Sequence, residues 1–509
     1  MTNFPWLTVL GVVPLVGAAV VAALPAAVAD RAKHIALGTS LVTLVLGIAA
    51  ALQFESGSGQ QFQLVEQHEW IPQFGVSYAL GVDGLALVMI LMAVILAPIC
   101  ILAAWDDVPE GGKREKNYFA WMLVLETFMV GVFAATDVFL FYVFFEAMLL
   151  PVYFLIGSYG GSRRQYAAVK FLLFSLAGGL VMLVGVIALY QYGPGGNDGF
   201  LVSKLTGLDL GTVPERLMFL AFFFGFAVKA PMWPVHTWLP DAATEAKPAT
   251  AVLLVGVLDK VGTFGMIRFC LQLFPEASKW ATPVVIVLAV ISVLYGALLA
   301  IGQTDIMRLI AYTSISHFGF IVLGIFALTS SAGAGAQLYM LNHGFGTAAL
   351  FLIAAMLIAR RGSKRIPDFG GWQKVTPALA GVWLTAGMFG LALPGLGSFV
   401  SEILVVIGTF QRHQAAAVIA TTAIILAALY ILLMYKRMMT GPKPELAAPV
   451  SDITLREKLV VVPLIAAFLV LGFYPKLALD TLNPSVAKTL SYVGVHDPSP
   501  ATAADGSTK

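Results

Sequence analysis

Residues 226–242 read FAVKAPMWPVHTWLPDA. Lys229 closes the apolar run LMFLAFFFGFAVK, and Pro231, Pro234 and Pro240 follow it within eleven residues. A helix facing lipid avoids both features. A charge at the bilayer centre costs on the order of 3 kcal/mol even on lenient scales, and a proline removes a backbone donor that hydrocarbon cannot replace. Irregular backbone at membrane depth survives where protein or a water-filled path lines it. The stretch therefore reads as a broken membrane helix wrapped around a polar path.

The rest of the chain supports a membrane setting. Of its 509 residues, 59% are hydrophobic and only 11% charged, with a mean hydropathy of +0.88. A soluble domain has about 45–50% and about 25%. The net charge of +2 forms no basic loop patch, so nucleic acid is not an expected partner; the lipid bilayer is. Cys100 and Cys270 lie in apolar stretches far apart, with no CxxC or Cys/His cluster, which argues against zinc and iron–sulfur sites. No dinucleotide fingerprint or P-loop is present. Redox chemistry is expected of a partner rather than of this chain. The first apolar run has no basic n-region and is long enough to span, so it reads as a helix that stays.

Apolar spans of about twenty residues fall near 5–29, 33–52, 82–104, 118–136, 138–158, 166–193, 216–239, 250–274, 280–302, 308–329, 337–360, 376–410, 414–436 and 456–475. These are fourteen transmembrane helices of an all-α polytopic membrane protein. Nineteen of the thirty Lys and Arg residues fall in loops after odd-numbered spans, seven after even-numbered spans or in the tail, and four within spans. By the positive-inside rule, both termini are expected on the outer face. Residues 53–81 combine glycine turns with alternating aromatics, suited to a short outer hairpin. Residues 194–215 are Gly/Pro-rich, and the polar tail from about 496 has the composition of a disordered segment.

An ionisable residue inside a span is a functional hypothesis by default. Glu146 lies eight residues into VFLFYVFFEAMLLPVYFLIG, which Asp137 precedes as an N-cap candidate. Lys229 is too deep to snorkel, and a carboxylate that approaches and leaves it, such as Glu146, would switch its proton affinity. Lys260 is mid-span beside Asp259, and neighbours on a helix point in different directions. His317, His343 and His236 are the mid-membrane histidines, and histidine changes charge near neutral pH. Glu126 sits in MLVLETFMV. Glu402 follows a second break, LALPGLGSFVSEILVV, where Pro394, Gly395 and Gly397 interrupt the helix. Lys170, near a helix end, reads as a snorkelling or surface residue.

The two breaks also reveal a repeat. Glu146 to His317 is 171 residues and Lys229 to Glu402 is 173. Five spans separate each pair, so the partners run in opposite directions. This predicts two inverted five-helix repeats, spans 4–8 and 9–13, containing broken spans 7 and 12. The boundaries follow as 1–117 for spans 1–3, 118–275 and 276–440 for the repeats, and 441–509 for span 14 with the tail. Single titratable groups strung along the chain suit a proton relay better than an organic ligand. Carboxylates and broken-helix carbonyls also coordinate sodium, so the residues alone do not choose between the ions.

At these residues the chain resembles the antiporter-like membrane subunits of respiratory complex I, the proton-translocating NADH–quinone oxidoreductase. The matching stretches are YALGVDGL (78–85), FYVFFEAMLLPVYFLIG (141–157), FAVKAPMWPVHTWLPDA (226–242), QTDIMRLIAYTSISHFGF (303–320) and LNHGF (341–345). Fourteen spans, no long lateral extension and glutamate at 402 fit the M type, the mitochondrial chain 4 type. The resemblance implies that Glu146 and Lys229 form a switching ion pair. It further implies that Lys260, His317 and His343 form the central relay, that Glu402 is the outlet and that His236 lies beside the path. It also implies L-type and N-type neighbours in a bacterial inner (plasma) membrane, with FMN, iron–sulfur clusters and quinone held by partner subunits. Two departures stand out: Ala243 replaces the histidine usual after PDA, and Asp259 precedes the lysine where the family has an uncharged residue. A subunit of a multi-subunit cation/proton antiporter of the Mrp type shares the fold and the Glu/Lys pair, and Glu402 favours the complex I reading over it. A purely structural scaffold would leave the buried charges unexplained.

Overall fold

The computed structural model describes residues 4–108, 112–445 and 449–499. Residues 500–509 of the polar tail lie outside it. Among the described residues, eleven helices long and apolar enough to span are α1 (Trp6–Ala23), α2 (Ala32–Ala51), α3 (Gly84–Ala103), α4 (Lys113–Ala134), α5 (Val138–Tyr159), α6 (Arg164–Tyr192), α9 (Pro248–Leu271), α10 (Pro275–Ile301), α11 (Ile306–Phe326), α12 (Ser330–Arg361) and α15 (Gln414–Met439). Two further spans are broken, as their prolines and glycines predict. The first is α7 (Thr212–Lys229) followed by α8 (Trp238–Glu245); the second is α13 (Pro377–Gly390) followed by α14 (Gly397–Phe410). Helix α16 (Leu455–Phe473) bends by 68° into α17 (Lys476–Val493), and the two together make at most one further span. Helix α17 is a finding beyond the sequence reading.

The expected hairpin is present as an antiparallel pair, β1 (Gln63–Ile71) and β2 (Val76–Val82). Asp137 caps α5 as expected, its Oδ1 accepting the Leu140 N–H at 2.9 Å.

The layers follow from which faces meet lipid. Helices α1 and α2 present Val12, Val16, Val20, Val42 and Val45 outward. By contrast, α9 and α11 are buried along their whole apolar windows. A helix apolar all round belongs inside a bundle or a membrane, and these two carry Lys260 and His317. Helix α6 packs against α7, and α12 packs against α14.

Candidate functional site: a buried chain of titratable groups

The site begins at an interruption in α5. Pro151 has no N–H and its ring crowds the carbonyl four residues back, and the α-helical run of α5 is interrupted at Met148, between Glu146 and that proline. A carboxyl oxygen of Glu146 is buried and has no hydrogen-bond partner. It rests against the backbone of α6 at Gly179, where a Cβ would collide with Oε1. Glycine is what allows the carboxyl to lie there.

Lys229 ends α7 and is 1% exposed. Its ammonium has no hydrogen-bond partner and lies over the rings of Phe145 (4.8 Å) and Phe171 (5.8 Å). Desolvated cation–π contacts of this kind are worth about 2 kcal/mol, less than an ion pair replaces of lost hydration. Glu146 is a charge partner of Lys229, yet the two do not come within 4.0 Å. The structure thus holds this pair open.

The break after Lys229 is satisfied partly by backbone bonds to the preceding helix, from Ala230 N to Phe226 O and from Met232 N to Ala227 O, and partly by side chains. Trp238 Nε1 donates to Val228 O at 2.9 Å, and the Trp233 N–H donates to Ser292 Oγ at 2.9 Å. His236, 2% exposed, stands edge-on to Tyr295 with ring centroids 5.0 Å apart, and its Nδ1 has no partner.

The middle of the chain sits on α9, which is wound partly as π-helix, over Val252–Leu258 and Met266–Leu271. Such turns shift side chains off the α-helical face and recur at functional sites. Lys260 Nζ donates to Val255 O at 2.7 Å and lies 2.5 Å from His343 Nδ1, with Phe318 below it at 5.0 Å. His343 and His317 stand ring to ring at 5.4 Å, and His317 and Tyr339 at 5.7 Å. Between them lies a cavity of about 10 Å³ bordered by Thr313, Ser314, Thr347 and Ser398, which is room for one water among hydroxyl groups. Tyr339 Oη then donates to Glu402 Oε1 at 2.6 Å.

Glu402 is placed by the second break. Gly395 takes φ +98°, a conformation that strains any other residue. Asn342 Nδ2 ties the start of α14 to α12, donating to Gly397 O (2.9 Å) and Ser401 Oγ (2.7 Å). Lys260, His343, His317 and Glu402 are therefore brought together, with Tyr339 as a link that the sequence reading missed. A signal for it exists: Tyr339, His343 and Thr347 recur every four residues, one face of α12.

Glu126 stands apart. It is fully buried on α4 with neither carboxyl oxygen hydrogen-bonded, and Cys100 of α3 is the titratable group beside it. Lys170 is half-buried rather than free at the surface. Its ammonium binds Asp241 Oδ2 at 2.7 Å, and Arg308 binds Oδ1 of the same carboxylate at 2.7 Å. Asp241, Glu245, Asp305, Arg163, Arg308 and Lys364 border a cavity of about 470 Å³ where the basic loops meet. Ala243, the position of the missing histidine, is fully buried in α8 between these two acids. Among the described residues no group of three His, Cys, Asp or Glu side chains could hold a metal ion.

The membrane family described as NADH:quinone oxidoreductase/Mrp antiporter matches residues 135–427, more than half the chain. NADH-quinone oxidoreductase subunit M of Mycobacterium tuberculosis is 49% identical over 537 residues, covering 99% of this chain and 97% of that one. The protein of the same name from Rhodobacter capsulatus is 40% identical, covering 94% and 95%. A chain of respiratory complex I from Thermus thermophilus superposes with a TM-score of 0.87 at 28% identity, covering 96% of this chain and all of that one. A chain of the Mrp complex from Dietzia superposes at 0.85 with 23% identity, a likeness of fold alone. The chain belongs to the NADH:quinone oxidoreductase/Mrp antiporter membrane family, and within it to the M subunits of NADH–quinone oxidoreductase.

Proposed function

We propose that the buried groups running from Glu146 to Glu402 are the path by which this subunit moves protons. An M subunit is a proton-translocating membrane component of NADH–quinone oxidoreductase, and the complex, not this chain alone, is the enzyme. The observation that carries the residue assignment is the unbroken sequence of contacts Lys260–His343–His317–Tyr339–Glu402 inside the bundle. Each member either titrates or carries a hydroxyl that can pass a proton along.

The open Glu146–Lys229 pair supplies the switch. With the carboxylate close, Lys229 holds its proton; with the carboxylate withdrawn, desolvation favours the neutral amine and the proton leaves. We place the uptake side at the charged cavity around Asp241, because it opens where the basic loops gather. His236 lies within the helix break, with Lys170 as its charged neighbour. This makes that face the inner one and sets both termini outside, in the inner membrane of a bacterium. Glu402, at the far end of the chain, is the outlet. Quinone reduction in other subunits drives the pair apart, FMN, iron–sulfur clusters and quinone reside in those subunits, and L-type and N-type subunits flank this one. The relatives at 40–49% identity are M subunits, which favours this reading over an Mrp-type antiporter.

The test is Lys229→Ala in the assembled complex. NADH-driven proton uptake by membrane vesicles should be lost while the subunit still co-purifies with the complex. Full pumping by that variant contradicts the assignment.

A further inference from the structure

We propose that Asp259 is a proton carrier in this chain, bridging Lys229 and Lys260 and so joining the Glu146–Lys229 switch to the histidine relay. The inference rests on the relay reading above, and it fills a gap in it. No contact within hydrogen-bonding distance links Lys229 to Lys260 among the described residues, since the first ammonium has no partner and the second is engaged by Val255 O and His343.

Asp259 is fully buried on α9, and both of its carboxyl oxygens lack any hydrogen-bond donor. A buried carboxyl in a structural role recruits donors, because an unpaired buried charge costs several kcal/mol. Asp259 has recruited none, and not even the adjacent ammonium of Lys260 bonds to it. The charged groups that act on it are Lys260 from its own helix and Lys229 from α7, and among the described residues it and Glu146 are the acids acting on Lys229. His343 of α12 reaches it only through Lys260.

The backbone explains the placement. The Asp259 N–H bonds to Leu254 O at 3.1 Å, five residues back, so the π-turn ends at this residue and turns the following α-helical segment. Three residues on, Gly262 meets the break itself, and a Cβ there would lie 2.6 Å from both Phe226 O and the Ala230 nitrogen. Helix α9 thus presses against α7 beside Lys229, one turn from Asp259.

The step balances in protons. The Lys229 ammonium gives H⁺ to the Asp259 carboxylate, leaving a neutral amine and a carboxylic acid. The acid then gives H⁺ to a neutral Lys260 amine, restoring the carboxylate and an ammonium that faces His343.

The experiment measures NADH-driven pumping by vesicles holding the assembled complex, across about pH 6 to 8. Asp259→Asn should slow pumping at least about tenfold at every pH, and Asp259→Glu should restore most of it. A rate near wild type for Asp259→Asn overturns the proposal. So does recovery of that variant at low pH, the result expected if Asp259 only kept its lysines protonated. Should Asp259→Asn fail to assemble, Asp259→Val serves in its place. Assembly of Asp259→Glu alone would make the carboxylate structural and also overturn the proposal. Lys229→Ala separates the two readings. If it pumps normally the relay itself fails; if it is silent while Asp259→Asn pumps, only the bridging role fails.

Discussion

Replacing Tyr339 with phenylalanine removes a single oxygen from the path. Tyr339 is 2% exposed and Glu402 5%, and Tyr339 Oη is the donor that Glu402 has, at 2.6 Å. A hydrogen bond to a buried charged acceptor is worth about 1.5–3 kcal/mol. Its loss shifts the balance between charged and neutral Glu402 by about tenfold to 150-fold, at 1.4 kcal/mol per decade. If about half of that shift is felt in the transition state for proton transfer, as Brønsted behaviour suggests, delivery to Glu402 slows about three- to twelvefold. The ring is retained, so its packing beside His317 and Phe320 should persist. The assay is the initial rate of NADH-driven acidification in inverted vesicles, normalised to assembled complex on a native gel. Assembled Tyr339→Phe that pumps within twofold of wild type refutes the reasoning.

Gly179→Ala tests the seat of Glu146. The new methyl would occupy the place of the carboxyl oxygen, and a misplacement on the order of 1 Å costs as much as a hundredfold in rate; normal pumping by the assembled variant counts against the Glu146 placement. Glu126→Leu should leave pumping within about twofold of wild type and leave assembly intact or improved, since the carboxyl pairs with nothing and an apolar replacement avoids its desolvation. A pumping defect there would bring Glu126 back into the path. Arg268→Met breaks the 2.7 Å pair with Asp83 at 7% and 17% exposure, leaving an uncompensated charge at a cost of about 3–5 kcal/mol. The yield of assembled complex should drop, and adding Asp83→Asn should recover part of it; no change in yield for the single variant contradicts the pair's role.

Much of the fold was legible because membrane insertion writes it as long apolar runs. Prolines 231, 234 and 394 announced both broken helices, and Asp137 announced its cap. Helix α17 was missed because Asp480, Pro484 and Lys488 dilute its hydropathy below that of a span, although it closes against α3 and α12. The π-turns of α9 were invisible because an apolar run looks the same whether its bonds reach four residues back or five. For the candidate site, charge inside an apolar span singled out Glu146, Lys229, Lys260 and Glu402. It gave no hint of Tyr339, whose hydroxyl is neutral, or of Gly179, which contributes by lacking a side chain. The partner of Lys170 lay 71 residues away, and only tertiary packing brings Asp241 to it. The departure at Asp259 was visible at once, but that Lys229 of another helix acts on it was not.

The central claim is that protons crossing this subunit leave through the buried chain that ends at Glu402. It is tested most directly by the number of protons moved per NADH oxidised in proteoliposomes holding purified complex, wild type against Glu402→Gln. The assembled variant should oxidise NADH with a lower proton yield or cease to turn over. A wild-type yield at a wild-type rate would contradict it.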